Sequence, residues 1–595
     1  MFKFIPRLNS RLHKLFFARQ PKLSRLNSRL VALNIGIVSS VLTAIPALGA
    51  EQITISYGPA ESSVSIDEIQ QFAKQGKVTP ILSLYGTLLK LKDGQKLRTI
   101  LQTPLEASPW SVGQFLDTPT GRVLLTRIGK VLKTDKNENG YAALRIAIGQ
   151  ASAHPEGLTI LRILEEFPGE SIRVDLDFSL ELLEDILQIL VEDELVIQSV
   201  EQQAQQAQIN ENYTFNLPDP RTQGLIPWTE EELTFRNPNR DQPSPLRLYL
   251  PQVKKSVPLI VISHGLGSDP QTFSYIAEHL ASHGFAVAVP EHIDTSANTF
   301  ARFFEGFERP PNPSVFANRP LDITSLLDEL EAKYKPNPVW KRKIDFNNVG
   351  ILGQSFGGYT ALAVGGAELN REQLIEGCRK SEDRRITLNI STLLQCRSLE
   401  VASQQKNFED PRIKAVIAIN PLTSLIFGEE GMSEIRIPTM IIGGTKDYVT
   451  PAVTEQIQPY SWLKTSRKHL VLVEPGTHFS FLRESGGRLT VPPKLIGPDP
   501  NFAYPYLKAL SLTFFDNYLQ KNSDYYPYLS QTYISSIESQ PFSLSLIEDL
   551  SAEQVRQVVK DSQMSSLESQ PLSLSLIEDL SVEQVKLNQC REFKK

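Results

Sequence analysis

Cysteine, histidine, methionine and tryptophan are all scarce in this 595-residue chain, with 3, 8, 4 and 4 copies. The few cysteines and histidines show no spacing of the kind that holds zinc, so no metal site is expected. Basic charge is also scarce beyond the first fifty residues. Of the 61 Lys/Arg, eight fall in that segment, which has no acid, leaving 53 bases against 67 acids in the remainder. Such an acidic body argues against nucleic-acid binding, whose affinity comes mainly from neutralising phosphates. Long apolar runs are nearly absent; Leu30–Ile45 follows the basic stretch and ends in Pro46-Ala-Leu-Gly-Ala50. Basic flank, apolar run and small-residue end predict an export signal over residues 1–50, cleaved after Ala50. An uncleaved membrane anchor is the alternative, because the run is borderline in length for a bilayer. Asn34, Ser39 and Ser40 interrupt the run and favour cleavage.

What is present is ordinary globular composition, 41% hydrophobic and 22% charged, in a chain long enough for two or more domains. Residues 51–180 carry short, closely spaced helix signals. Ser65-Ile-Asp-Glu68 is a capping box, and Thr79-Pro80 and Thr118-Pro119 each place proline at a first helical position. The expectation there is a small all-helical domain, with Ser171–Asp177 alternating like one edge strand. Residues 181–210 read as a helix decaying into the polar tract Glu201–Gln208, a linker. From 211 to 522 strand patterns alternate with helices, the mark of an α/β sheet, interrupted by insertions at 295–318 and 368–410. The tail, 523–595, repeats itself: Ser535–Leu550 recurs as Ser565–Leu580. Two copies are too few for a solenoid, so a duplicated terminal segment is expected.

One stretch carries chemistry. Val349–Leu352 is an apolar run that meets Gly353-Gln-Ser355-Phe-Gly357, and a helical run follows. This is the G-x-S-x-G nucleophile elbow between strand and helix, with small neighbours letting Ser355 occupy a sharp turn. A serine hydroxyl needs a base, an orienting acid and an oxyanion hole. In this architecture the chain order is Ser, then Asp/Glu, then His. Only two histidines follow Ser355. His469 opens a strand, whereas His478 lies in the Gly/Pro loop after it, so His478 is the expected base. Asp447, just past Gly443-Gly444, is the expected acid, ahead of Glu474. The backbone amides of Phe356 and of Leu266, in Ser263-His-Gly-Leu-Gly267, are the expected oxyanion donors. His264 and His292 are expected to be structural. Phe300, Phe303, Phe304 and Phe307 fall on one helix face in the first insertion, either core packing or the wall of an acyl pocket. Cys378 and Cys396, close together in an exported chain, are expected to form a disulfide, with Cys590 unpaired.

Residues 211–520 resemble α/β-hydrolases of the platelet-activating-factor acetylhydrolase and dienelactone-hydrolase-like groups. The resemblance rests on Ser263–Gly267, Pro290-Glu-His-Ile-Asp294, Gly353–Gly358, Gly443–Asp447 and Gly476-Thr-His478-Phe. Ser355 departs from the cysteine nucleophile of dienelactone hydrolases and favours the esterase branch; Gln354 stands where the acetylhydrolase elbow usually has histidine. Residues 51–180 look like a helical domain of unknown function fused to such hydrolases in cyanobacteria. The resemblance implies an exported serine ester hydrolase acting on a small-molecule or lipid ester, phospholipid acetyl esters included, without cofactor or metal. Transient contact with a membrane surface is compatible with a lipid substrate. Rival readings are a polyester- or cutinase-like hydrolase, an acyltransferase, or an envelope binding protein with a vestigial hydrolase domain.

Overall fold

A computed structural model describes residues 49–568, apart from 89–93, 105–107, 306, 337–342, 384–388, 402–404 and 484–492. The expected export signal (1–50) except its last two residues, Cys590 and most of the second repeat copy therefore lie outside the described residues. The described residues form one compact unit, and none of their helices is long and apolar enough to cross a membrane.

Residues 49–175 hold a sheet as well as helices. Strands β1 (Gln52–Tyr57), β2 (Ala60–Ser65), β3 (Leu132–Lys133) and β4 (Ser171–Asp175) pair in the order β2-β1-β4-β3. The all-helical expectation is corrected accordingly. Ile53 and Ile55 do alternate with polar neighbours, but the partner strand, Ala-Glu-Ser-Ser-Val-Ser, is too polar to declare itself. Gly58, at φ +54°, turns the chain between them. The helix signals hold: Ser65 and Glu68 close their capping box, and Thr118 caps the helix Pro119–Val131 through the Gly121 amide. Val64, Leu125, Ala147, Phe167 and Ile172 belong to the separate small core of this segment.

The tract expected to be a linker is instead part of a 35-residue helix, Leu176–Asn210. Val196, Ile197, Val200 and Ala204 project from it into the main hydrophobic core. Their i, i+4, i+8 spacing makes one buried stripe, and the glutamines take the outer faces.

The main sheet has nine strands in the order β13-β12-β11-β10-β9-β7-β8-β6-β5. They are β5 (Trp228–Phe235), β6 (Ser244–Pro251), β7 (Val257–Ser263), β8 (Ala286–Pro290), β9 (Ile344–Gln354), β10 (Ile413–Ile419), β11 (Thr439–Gly444), β12 (Lys468–Glu474) and β13 (Ser543–Ile547). The six strands from β8 to β12 run parallel, while β5, β6 and β13 are antiparallel additions. β7 is buried at all seven positions. Alternate residues enter two cores: Leu259, Val261, Ile351 and Val416 on one face, Ile260, Ile262, Leu352 and Ile417 on the other. A parallel sheet covered on both faces needs such continuous apolar strands. This is the α/β-hydrolase architecture. Its edge brings a further correction: β13 comes from the first repeat copy and pairs with β12, so that copy belongs to the sheet rather than to a tail.

The second insertion is held by a disulfide, Cys378–Cys396, spanning 18 residues of sequence. Closing a loop of that length stabilises by on the order of 2–3 kcal/mol through the unfolded chain. The Cys378→Ser/Cys396→Ser variant is expected to show faster cleavage between 368 and 410 in limited proteolysis, and an unchanged cleavage rate would refute this.

Candidate active site

The carboxyl ends of the parallel strands all meet one edge of the sheet, and three loops from that edge converge. After β9 the chain turns so sharply that Ser355 adopts φ +56° and ψ −119°, a conformation few non-glycine residues tolerate. The close approach explains its neighbours. A Cβ on Gly353 would sit 2.0 Å from the Gly357 carbonyl oxygen, and one on Gly357 would sit 1.9 Å from that of Ser263.

Ser355 Oγ lies 2.9 Å from His478 Nε2, and His478 Nδ1 lies 2.7 Å from Asp447 Oδ2. Asp447 Oδ1 accepts hydrogen bonds from the Val449 and Thr450 amides, both at 2.8 Å. Thr450 Oγ1 donates to Asp447 Oδ2 at 2.8 Å. The carboxylate is thus fixed by three donors besides the imidazole. Ser355 and His478 keep 8% and 7% of their surface exposed. His469 stands at the opposite end of β12, buried against Phe514 with Nε2 2.9 Å from the Tyr518 hydroxyl. Burial pushes its pKa down to about 3.

Gln354 and Asn420, to which sequence reasoning gave no site role, brace the base loop. Gln354 Nε2 donates to the His478 carbonyl at 3.2 Å. Asn420, just past β10, donates through Nδ2 to the Thr477 carbonyl at 3.2 Å and accepts the Gly444 amide at 3.0 Å. Asn420 therefore links the acid strand to the base loop. The two loops touch at Gly444, where a Cβ would lie 2.5 Å from the Gly476 carbonyl oxygen.

Beneath the Ser263–Gly267 loop lies a buried polar network. His264 Nδ1 donates to the Gly265 carbonyl at 2.8 Å, and its Nε2 accepts the His292 amide at 3.0 Å. His292 joins Asp322 Oδ2 at 2.7 Å and Ser263 Oγ at 2.9 Å. Asp322 also receives both arms of Arg240, at 2.7 Å each. Arg319, fully buried, donates to the His264 carbonyl, to Thr295 Oγ1 at 2.7 Å and to Thr360 Oγ1 at 3.2 Å. Its guanidinium lies 4.9 Å from the Phe356 ring centroid. One side chain thus supports the loop carrying Leu266 and the residue after Ser355. Desolvation, the largest effect, pushes the Arg319 pKa down to about 9. Burial, reinforced by the Arg319 charge, holds both His264 and His292 well below the usual histidine range, so both are neutral at pH 7.

Ser263, His292 and Asp322 reproduce the Ser-His-Asp hydrogen-bond chain a second time, yet all three are wholly buried. No ester could reach Ser263 Oγ, and Arg319 Nη2 already lies 3.3 Å from it. Accessibility, not spacing, separates the two constellations. The sequence does contain a signal for this network. Arg319 and Asp322 interrupt the buried stripe Phe316, Ile323, Leu326 of the helix Val315–Tyr334, and charges there demand buried partners.

Of the phenylalanine stripe on the helix Ala297–Phe304, Phe303 is buried at 4% exposure and Phe300 is half-buried, with ring centroids 6.4 Å apart. Phe307 is exposed, under the Arg302 guanidinium; the Phe304 side chain lies outside the described residues. Phe356 opens the helix that follows Ser355, and Leu266 follows Gly265, where a Cβ would lie 3.3 Å from the Ser355 Cβ. Among the described residues no group of His, Cys, Asp or Glu is arranged to hold a metal.

Comparison with known proteins supports an α/β-hydrolase fold. Residues 49–175 match a family described as alpha/beta hydrolase of unknown function (DUF1400). Residues 247–315, which include the Ser263–Gly267 loop, match platelet-activating factor acetylhydrolase, isoform II. Cutinase 2 of Thermobifida cellulosilytica is 23% identical over 251 residues, 42% of this chain and 68% of that protein. Cutinase cut1 of Thermobifida fusca is 23% identical over 251 residues, 42% of this chain and 56% of that protein. Sheet order, elbow geometry and these matches together give the chain an α/β-hydrolase fold, similar over residues 247–315 to platelet-activating factor acetylhydrolase, isoform II.

Proposed function

We propose that the protein is an exported serine ester hydrolase that works through an acyl-enzyme. The observation that carries this reading is the unbroken hydrogen-bond chain from Ser355 through His478 to Asp447, in which Ser355 and His478 each keep some exposed surface. His478 Nε2 takes the Ser355 proton as Oγ attacks the ester carbonyl, and Asp447 holds the imidazole in the tautomer that leaves Nε2 free to accept. The Leu266 and Phe356 amides receive the negative charge that develops on the carbonyl oxygen. His478 returns its proton to the leaving alcohol, and water then attacks the acyl-serine by the same route in reverse order of groups. Export rests on the basic and apolar leader and accords with the Cys378–Cys396 disulfide, a bond that persists in oxidising compartments.

A carboxylic ester of a lipid or another small molecule, short-acyl phospholipids included, is the substrate class. A polyester is the second reading, favoured by the similarity to cutinases. The test is fluorophosphonate labelling of the full chain. The parent is expected to incorporate one probe at Ser355, and the Ser355→Ala variant none. An unlabelled parent would overturn the enzyme reading, and turnover of a panel of phospholipid, glyceride and polyester substrates then ranks the classes.

A further inference from the structure

We infer that residues 49–175 form a fixed cap over the ester site and supply one wall of a groove for an acyl chain. The inference rests on the hydrolase reading and adds a substrate preference to it. Two helix pairs carry it. The helix Pro109–Asp117 packs against Ala297–Phe304, and Pro119–Val131 packs against Ser391–Arg397. Each partner helix is stapled to one side of the catalytic edge. Ala297–Phe304 starts where the Gly267 amide donates to the Thr295 carbonyl at 2.8 Å and the Ala297 amide to the Ser268 carbonyl at 2.9 Å. Ser391–Arg397 starts where the Ser391 amide donates to the Val449 carbonyl at 3.0 Å, two residues past Asp447. The first contact therefore stands on the oxyanion side of Ser355 and the second on the acid side. The two cap helices, joined only by Thr118, bridge them.

The surface these helices present has the composition of a lipid-facing wall. Val112, Leu116 and Leu125 turn into the small core, yet Trp110, Phe115, Leu124 and Ile128 remain 53%, 37%, 39% and 37% exposed. On the acid side of the edge, Ile390 and Tyr448 are 55% and 53% exposed. The apolar surface of these side chains gains from covering methylenes, and the acyl chain of an ester held at Ser355 must leave the oxyanion pocket in some direction. The cap is fixed because the helix Leu176–Asn210 starts in β4 of the cap, with Asp175 as its N-cap, and ends in the hydrolase core. A continuous helix has no hinge at which the cap could swing away.

The test compares kcat/KM for p-nitrophenyl acetate and p-nitrophenyl decanoate in the full-length protein. Trp110→Ser/Phe115→Ser and, separately, Leu124→Ala/Ile128→Ala are expected to lower kcat/KM for decanoate tenfold or more, chiefly through KM. Acetate turnover stays within twofold. The conservative pair Trp110→Phe/Phe115→Leu is expected to retain the decanoate rate. Equal losses on both esters, or no change on either, would overturn the cap assignment. A parent that turns over neither ester would instead overturn the hydrolase reading beneath it.

Discussion

Ser355→Ala is expected to lower kcat about a millionfold on any ester the parent hydrolyses, and Asp447→Asn about ten-thousandfold. The sizes follow from what each group does along the hydrogen-bond chain. Without the Ser355 oxygen no acyl-enzyme forms, and only binding and the oxyanion amides remain. Asp447→Asn keeps the shape but no longer stabilises the imidazolium, and its amide favours the tautomer that turns a proton toward Ser355. The losses are not additive, because the three residues act as one unit: a Ser355→Ala/His478→Ala variant should be scarcely slower than Ser355→Ala alone. Steady-state hydrolysis of a chromogenic ester reads both. A Ser355→Ala protein retaining a hundredth of the parent rate would mean that another nucleophile is at work. The buried Ser263–His292–Asp322 chain is not a candidate for that role, since none of its atoms meets solvent. Ser263→Ala is accordingly expected to keep its fluorophosphonate label.

Asp322→Asn should produce the largest loss of stability, about 3–5 kcal/mol. Asp322 accepts from both arms of Arg240, from His292 and from Asn237 at 2.8 Å, and all four residues are buried. Neutralising it leaves the Arg240 guanidinium, among the described residues, with the half-exposed Asp294 as its remaining ion-pair partner. A buried cation that loses its partner costs far more than the pair contributes over an apolar replacement. Replacing both partners, Arg240→Met with Asp322→Leu, should therefore cost less than Asp322→Asn alone. Denaturant midpoints of the hydrolase transition would show the difference. A shift in Asp322→Asn worth under 1 kcal/mol would contradict the role given to this network. Because the same network supports the Ser263–Gly267 loop through His264 and Arg319, esterase activity should fall before global unfolding begins.

The parts of the site legible in the sequence are those encoded locally. Gly353 and Gly357 flank Ser355 because carbonyl oxygens stand within 2.0 Å of where their Cβ atoms would be, and such steric demand leaves a short fixed motif. His478 and Asp447 could be found because few histidines follow the serine and because chain order mirrors strand order. Arg319 and Asp322 share a helix and mark the network in the sequence, but Arg240 lies 79 residues before Arg319 and only the fold brings it to Asp322. Asn420 was hidden for the same reason, its role depending on the simultaneous arrival of Gly444 and Thr477. In the helix Leu176–Asn210 composition concealed periodicity: a tract rich in glutamine looked like a spacer, although its valines and alanines keep helical spacing. β13 was obscured by the repeat, which drew attention to duplication and away from the alternation of Leu544 and Leu546.

That long helix also bears on how the chain can be divided in the laboratory. A catalytic fragment begun at residue 211, where strand patterns start, would expose a bare trough along the sheet where Val196, Ile197, Val200 and Ala204 had lain. Such a fragment would enter inclusion bodies or recruit chaperones, and its silence in an assay would say nothing about Ser355. A productive cut falls before Asp193, which keeps the buried stripe and gives up only the part of the helix nearer the first sheet.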